Sequence, residues 1–231
     1  MVAAARSLSL SLAYADGETV SALLTLPAAA APTAAFVLAH GAGAGMTHAF
    51  MQRLAEGCAE RGIATLRYQF AYMERGSKRT DAPALAHAVV RAAVAEAARQ
   101  LPGVPLVAGG KSFGARMTSQ AQALEALPGV RGLVFVGFPL HPAGKPGVER
   151  AEHLDRVACP MLFLQGTRDE LAQLDLLGGV LTRLGEKATL VAFDDADHAF
   201  HVRASSGSND AEVMTRLLDA SVAWIHGLAP A

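Results

Sequence analysis

Polar and apolar residues alternate one by one near the start of the chain, where Ser7, Ser9 and Ser11 interleave with Leu8, Leu10 and Leu12. That period belongs to a half-buried strand. It predicts strands over Ser7–Tyr14 and Thr19–Leu26, joined through "ADGE" as a hairpin turn. From "AAFVLAH" onward the pattern changes to continuous apolar runs, as strands buried on both faces require, separated by stretches with helical spacing. "THAFMQRLAEGCAERG" reads as a helix with Thr47 as N-cap and Gly62 just past its end. The strand "IATLRYQF" follows, then a helix over Asp81–Leu101 with Ala86, Val90, Val94 and Ala97 on one stripe. The remaining order is strand "PLVAG", helix Phe113–Leu127, strand "RGLVFVGF", a loop from Pro139 to Cys159, strand "MLFLQG" and helix Glu170–Leu184. Strand "ATLVAF" and helix Asp210–Ile225 close the series. Strands taking turns with helices imply an α/β fold, with a mostly parallel sheet covered on both faces. No linker, repeat or low-complexity segment divides the chain, so one domain over 1–231 is expected.

Composition narrows the function classes. A chain of 231 residues is ample for one well-filled core. Its formal net charge of −1 gives no global attraction to nucleic acid or to an anionic membrane. The two cysteines, Cys58 and Cys159, match no metal spacing, and Cys58 shares an apolar stripe with Phe50 and Leu54, which predicts a buried thiol. Arg6 and the Ala13-Tyr14-Ala15 triplet superficially imitate a secretory signal, but the alternating serines defeat an apolar plug. A cytoplasmic location is the expectation. The apolar stretch Pro27–Met46 is interrupted by Pro32 and several glycines and does not read as a membrane span.

The stretch "PLVAGGKSFGARM" carries the chemistry. A phosphate-binding loop would need a glycine five residues before Gly110, where Pro105 stands, and "PLVAG" is strand right up to the glycines. The alternative is Gly110-Lys111-Ser112-Phe113-Gly114 as a G-x-S-x-G turn between a buried strand and a helix, which would expose the Ser112 hydroxyl at the carboxyl end of the sheet. A serine nucleophile needs a base, and the base needs an acid, each on a loop after a later strand. "VAFDDADHAF" supplies His198 as base and "MLFLQGTRDE" supplies Asp169 as acid, with Asp195 and Asp197 left to order the loop or face solvent. The developing oxyanion needs donors. The Phe113 N–H is one, and the small residues of "HGAGAGMTH" offer a second, Ala42, with Gly43 as the alternative. Met46 occupies the last glycine position of a dinucleotide fingerprint, so that reading is weak.

With "HGAGAG", "GGKSFG", "GTRDE" and "DADHAF" in this order, the sequence resembles the α/β-hydrolase superfamily along essentially its whole length. More narrowly, "FPLHPAGKPGVERAEHL" and the "SND" before the last helix resemble a small dienelactone-hydrolase-like subgroup of bacterial and animal proteins. Dienelactone hydrolase uses a cysteine nucleophile where this chain has Ser112. The subgroup also includes a subunit of a chromatin-modifying complex, so a non-catalytic interaction module stands as the rival expectation. The resemblance implies that any lid would follow "RGLVFVGF", where the stretch from Pro139 is too short for a helical lid. It implies acyl transfer on a small-molecule substrate, by a Ser112–His198–Asp169 triad with Ala42 and Phe113 as oxyanion donors, and with no cofactor or metal. The cations Arg75, Lys78, Arg79, Lys111, Lys145 and Arg150 are expected at the same end of the sheet, where some would favour anionic substrates.

Overall fold

A computed structural model describes residues 5–28 and 30–228. Eight strands form one sheet in the order β1-β2-β4-β3-β5-β6-β7-β8. Strands β1 (Arg6–Ala15) and β2 (Glu18–Leu26) make the hairpin, and β2 pairs antiparallel with β4 (Ile63–Tyr68). All other pairings are parallel, through β3 (Ala34–Ala39), β5 (Leu106–Lys111), β6 (Val130–Val136), β7 (Met161–Gly166) and β8 (Ala188–Phe193). The stretch that imitates a signal sequence is thus a paired strand from Arg6 onward, while Met1–Ala4 lie outside the described residues.

Strand alternation sorts the apolar side chains onto two faces. Ala35, Val37, Leu133, Phe135, Met161 and Phe163 pack with α3 (Pro83–Gln100), α4 (Phe113–Leu124) and α5 (Leu174–Leu184). Phe36, Leu38, Val134, Val136, Leu162 and Leu164 pack with α1 (Ala49–Glu60) and α6 (Asp210–Gly227). Cys58 lies on this second face fully buried beside Leu54, as its stripe predicts, and burial pushes its thiol up to about 12. Gly57 makes room for α6 against α1: a Cβ there would stand 2.3 Å from Leu218 Cδ1.

Several boundaries differ from the sequence expectations for local reasons. Helix α1 is capped by His48 rather than Thr47, its Nδ1 accepting from Phe50 N at 3.2 Å. Helix α3 starts at Pro83 because the Asp81 carboxylate is occupied elsewhere, accepting from Tyr72 N at 2.9 Å and from Arg75 at 2.7 Å. A four-residue helix α2 (Ala71–Glu74) precedes it. Helix α4 ends at Leu124, since the Gln122 side chain takes the Leu127 N–H at 2.8 Å. Helix α5 begins at Leu174, not Glu170, because Asp169 folds the intervening residues into a turn through Ala172 N to its carbonyl and Leu171 N to its carboxylate. The link between β6 and β7 contains only a 3₁₀ segment, Glu149–Arg156, and no lid domain.

Candidate active site

The sheet order places the site. The chain leaves β3 toward β4 on one side and crosses to β5 on the other, so the loops after β3 and β5 part at the carboxyl end and open a crevice. The β3 loop is "HGAGAG" and the β5 loop is the Ser112 turn.

Ser112 sits at the N-cap of α4 with φ 51° and ψ −110°, a conformation a non-glycine residue holds only under strain. The turn is clamped: Ser112 N donates to Val136 O at 3.1 Å, and Arg116 N donates to Ser112 O at 3.1 Å. Its flanks admit no side chain. A Cβ on Gly110 would lie 2.3 Å from Ala39 O, and one on Gly114 would lie 2.7 Å from the same oxygen.

Three of the residues expected at the site meet in a line. Ser112 Oγ is 2.8 Å from His198 Nε2, and His198 Nδ1 is 2.6 Å from Asp169 Oδ2. The carboxylate can only accept, so Nδ1 carries the imidazole proton and Nε2 is free to accept from the serine. Asp169 is buried, and its other contacts are full: Gln165 Nε2 donates to Oδ2 at 2.5 Å and Leu171 N donates to Oδ1 at 2.8 Å. Gln165 is itself fixed by Phe138 N donating to its Oε1 at 3.0 Å. His198 projects from a tight turn held by the Ala196–Val202 bridge and by Asp197 Oδ1, which accepts from Ala199 N and His201 N. Asp195 pairs with Arg168 across the loop at 3.5 Å. Both aspartates therefore order the histidine loop, as expected of them.

The second donor loop discriminates between its two candidates. Gly43 N donates to the Tyr72 hydroxyl at 3.0 Å and is occupied, whereas the N–H groups of Ala42 and Phe113 find no partner among the described residues. His40, fully buried, shapes this loop. Its Nε2 accepts from Phe70 N at 3.1 Å, so Nδ1–H donates to Gly41 O at 2.7 Å, and burial lowers its pKa. Sequence reasoning missed Tyr72, Gln165 and His40 in these roles, because each depends on a partner 27 to 30 positions away: Gly43 N, Phe138 N and Phe70 N respectively.

The cations expected at this end of the sheet are placed differently from one another. Lys111 runs past Gly41 along the cavity beside the β3 loop, and its Nζ donates to the His198 carbonyl oxygen. Arg75 is committed to buried Asp81. Lys78, Arg79 and Lys145 are exposed, and Arg150 is partly buried near Arg116. Beside the β3 loop lies an apolar cavity of about 100 Å³ bounded by Gly41, Ala44, Met51 and Ala199. Among the described residues no cluster of three His, Cys, Asp or Glu could hold a metal, and no helix is long and apolar enough to cross a membrane.

Comparison with known proteins agrees with this architecture. A family model for the alpha/beta hydrolase domain matches residues 32–226. A serine hydrolase without a lid from Xanthomonas campestris superposes with a TM-score of 0.74 at 22% identity, over 97% of each chain. Dienelactone hydrolase from Anabaena variabilis gives 0.77 at 18% identity, over 98% of this chain and 99% of that one. A serine hydrolase homologue from Coxiella burnetii gives 0.74 at 17%, over 94% and 96%. At such identities these likenesses speak for the fold. The family match runs from just before β3 into the last helix, taking in the parallel part of the sheet and every loop at its carboxyl end, and the chain belongs to the alpha/beta hydrolase family.

Proposed function

We propose that this chain is a serine hydrolase that cleaves a small carboxylic ester, or a related acyl substrate, through an acyl-enzyme. The observation that carries the reading is the continuous hydrogen-bonded line Asp169–His198–Ser112, ending beside two unoccupied N–H donors. Ser112 Oγ attacks the carbonyl carbon while His198 Nε2 takes its proton. Asp169 holds the proton on Nδ1 and balances the imidazolium charge. The carbonyl oxygen, now negative, is received by the Phe113 and Ala42 N–H groups. The imidazolium then gives its proton to the departing alcohol, and water activated by the same nitrogen releases the acid and restores Ser112. No step calls for a metal or organic cofactor.

The relatives point the same way, being described as serine hydrolases and a dienelactone hydrolase. The reading includes a single domain over 1–231 and a cytoplasmic setting. Support for the latter is that β1 pairs with β2 along its length, so that cleavage at Ala15 would remove an integral strand.

The test is labelling by a fluorophosphonate, which reacts with an activated serine and ignores an inert one, together with turnover of a short soluble ester. Wild type should label and turn over, and Ser112→Ala should do neither while keeping its fold. An unlabelled, inactive wild type would return the chain to the reading of a non-catalytic interaction module, and Ser112→Ala with near-native turnover would mean that the nucleophile lies elsewhere.

A further inference from the structure

Lys111 is the one charged residue inside the G-x-S-x-G turn, and the acyl-transfer steps make no use of it. Its side chain runs under the histidine turn. Nζ donates to the His198 carbonyl oxygen, joining residues 87 positions apart in sequence. The rings of Phe50 and Phe200 flank the ammonium, with centroids 5.9 and 5.4 Å away. The same region of space is close to the imidazole. A Cβ on Gly137 would lie 3.1 Å from Lys111 Nζ and 3.5 Å from His198 Nδ1. Burial lowers the Lys111 pKa to about 8, with Asp169 and Asp197 opposing that shift. An enclosed ammonium is costly unless its donors and its charge are satisfied, so a lysine kept in this position needs the carbonyl and the two rings.

The backbone of the histidine turn needs a tether in return. Phe200 has φ 64°, a strained value for a bulky residue, and the bonds from Asp197 close the turn only upon itself. Val202 N donating to Asp210 Oδ1 at 3.0 Å and Arg168 N donating to Ala196 O at 2.9 Å anchor the ends of the turn to α6 and to the loop after β7, but neither bond reaches the serine turn. Lys111 is covalently next to Ser112 and bonded to the backbone of His198, so it spans the gap between nucleophile and base by a second route, independent of the Ser112–His198 bond. We propose that Lys111 is a positioning residue, tying the main chain of His198 to the serine turn so that Nε2 stays in line with Oγ. The role rests on the assignment of His198 as base.

Lys111→Met keeps the stem and removes the donor, and Lys111→Arg keeps a charged donor. A small displacement of a catalytic group is worth on the order of 10²-fold in rate. With a short soluble ester, Lys111→Met should lose roughly 10- to 100-fold in kcat with KM unchanged. Lys111→Arg should recover at least about tenfold of that loss. Fluorophosphonate labelling of Ser112 should slow in parallel. The Nδ1–H proton resonance of His198, a readout that needs no turnover, should shift or broaden in Lys111→Met. Wild-type kcat in Lys111→Met, an effect confined to KM, an unmoved His198 resonance, or an arginine variant as slow as the methionine variant would each overturn the proposal. Wild-type protein that neither labels nor turns over any ester, yet whose His198 resonance moves on Lys111→Met, would defeat the hydrolase reading and leave the tether standing.

Discussion

Replacing Asp169 by asparagine changes a single atom, and the structure gives that atom no acceptable place. Three donors converge on the carboxylate: His198 Nδ1 and Gln165 Nε2 on Oδ2, and Leu171 N on Oδ1. If the amide nitrogen takes the Oδ2 position, it faces the Gln165 amide, which cannot reverse because Phe138 N occupies its oxygen. It also obliges the imidazole to accept at Nδ1, which moves the ring proton to Nε2 and blocks removal of the serine proton. If the nitrogen takes the Oδ1 position, it meets the Leu171 N–H instead, donor against donor, at a residue only 3% exposed. Each orientation leaves donors unsatisfied in a buried place, worth about 1–3 kcal/mol. The wrong tautomer of the first orientation costs about 10⁴ in rate, or roughly 5.5 kcal/mol of transition-state stabilisation. The second orientation keeps the tautomer but still loses the negative charge that balances the imidazolium. The assay is kcat and KM on a short soluble ester, alongside urea unfolding of both proteins. We expect Asp169→Asn to lose about 10³- to 10⁴-fold in kcat with little change in KM, and about 1–3 kcal/mol in stability. A variant within tenfold of wild-type kcat and equally stable would refute the claim that this carboxylate sets the tautomer of His198.

Three further outcomes are expected. Ser112→Gly should lose turnover yet unfold at higher denaturant, by about 1 kcal/mol, because glycine relieves the backbone strain at φ 51°; an unchanged or lower midpoint would contradict it. Turnover should favour short acyl chains over long ones, since only a 3₁₀ segment lies between β6 and β7 to shelter a chain; preference for emulsified long-chain substrate in a chain-length series would count against an open site. His153 donates to Ser119 Oγ at 2.7 Å, the hydroxyl being spent on Arg116 O, and burial lowers its pKa to about 4. Because the folded value lies below the unfolded one, the unfolded chain takes up the proton first, and stability falls as pH drops from about 6.5 toward 4. At pH 5 that term is about 2 kcal/mol, so urea unfolding at pH 7.5 and pH 5 should show a smaller acid loss for His153→Gln than for wild type; equal losses would remove His153 from the cause.

The parallel strands were legible because burial on both faces leaves an apolar run with no polar interruption, as in "AAFVLA" and "MLFLQG". The meeting of Ser112, His198 and Asp169 was legible because the fold puts them on loops whose order follows from strand order. What the sequence hid is mostly what acts at a distance. Helix α2 is four residues long, too short to show any period. Asp81 looked like the start of a helix because its true partners, Tyr72 N and Arg75, lie nine and six residues away in a loop with no pattern. Lys111 looked like one of the cations beside the substrate because it adjoins the nucleophile, but its ammonium is held by a main-chain oxygen. Its partner is an oxygen 87 positions on. What occupies Gly43 N, and so favours Ala42 over it as a donor, is one hydroxyl, that of Tyr72, which no local pattern announces.

The glycines described above differ in what a genetic selection could repair. At Gly57 the obstacle to a Cβ is made of Leu218 side-chain atoms, which a second mutation can trim. At Gly110 the nearest obstacle is Ala39 O at 2.3 Å, which would remain even if Ala39 Cβ at 2.8 Å were trimmed away, and at Gly109 the obstacles are main-chain atoms of Val134. No change of side chain removes a main-chain atom. A population carrying Gly57→Ala should therefore yield revertants at Leu218, whereas one carrying Gly110→Ala should recover only by restoring glycine. The serine turn is in this sense uninsured: the loops around it are free to drift toward new substrates, while the three strands beneath it have no second way of fitting together.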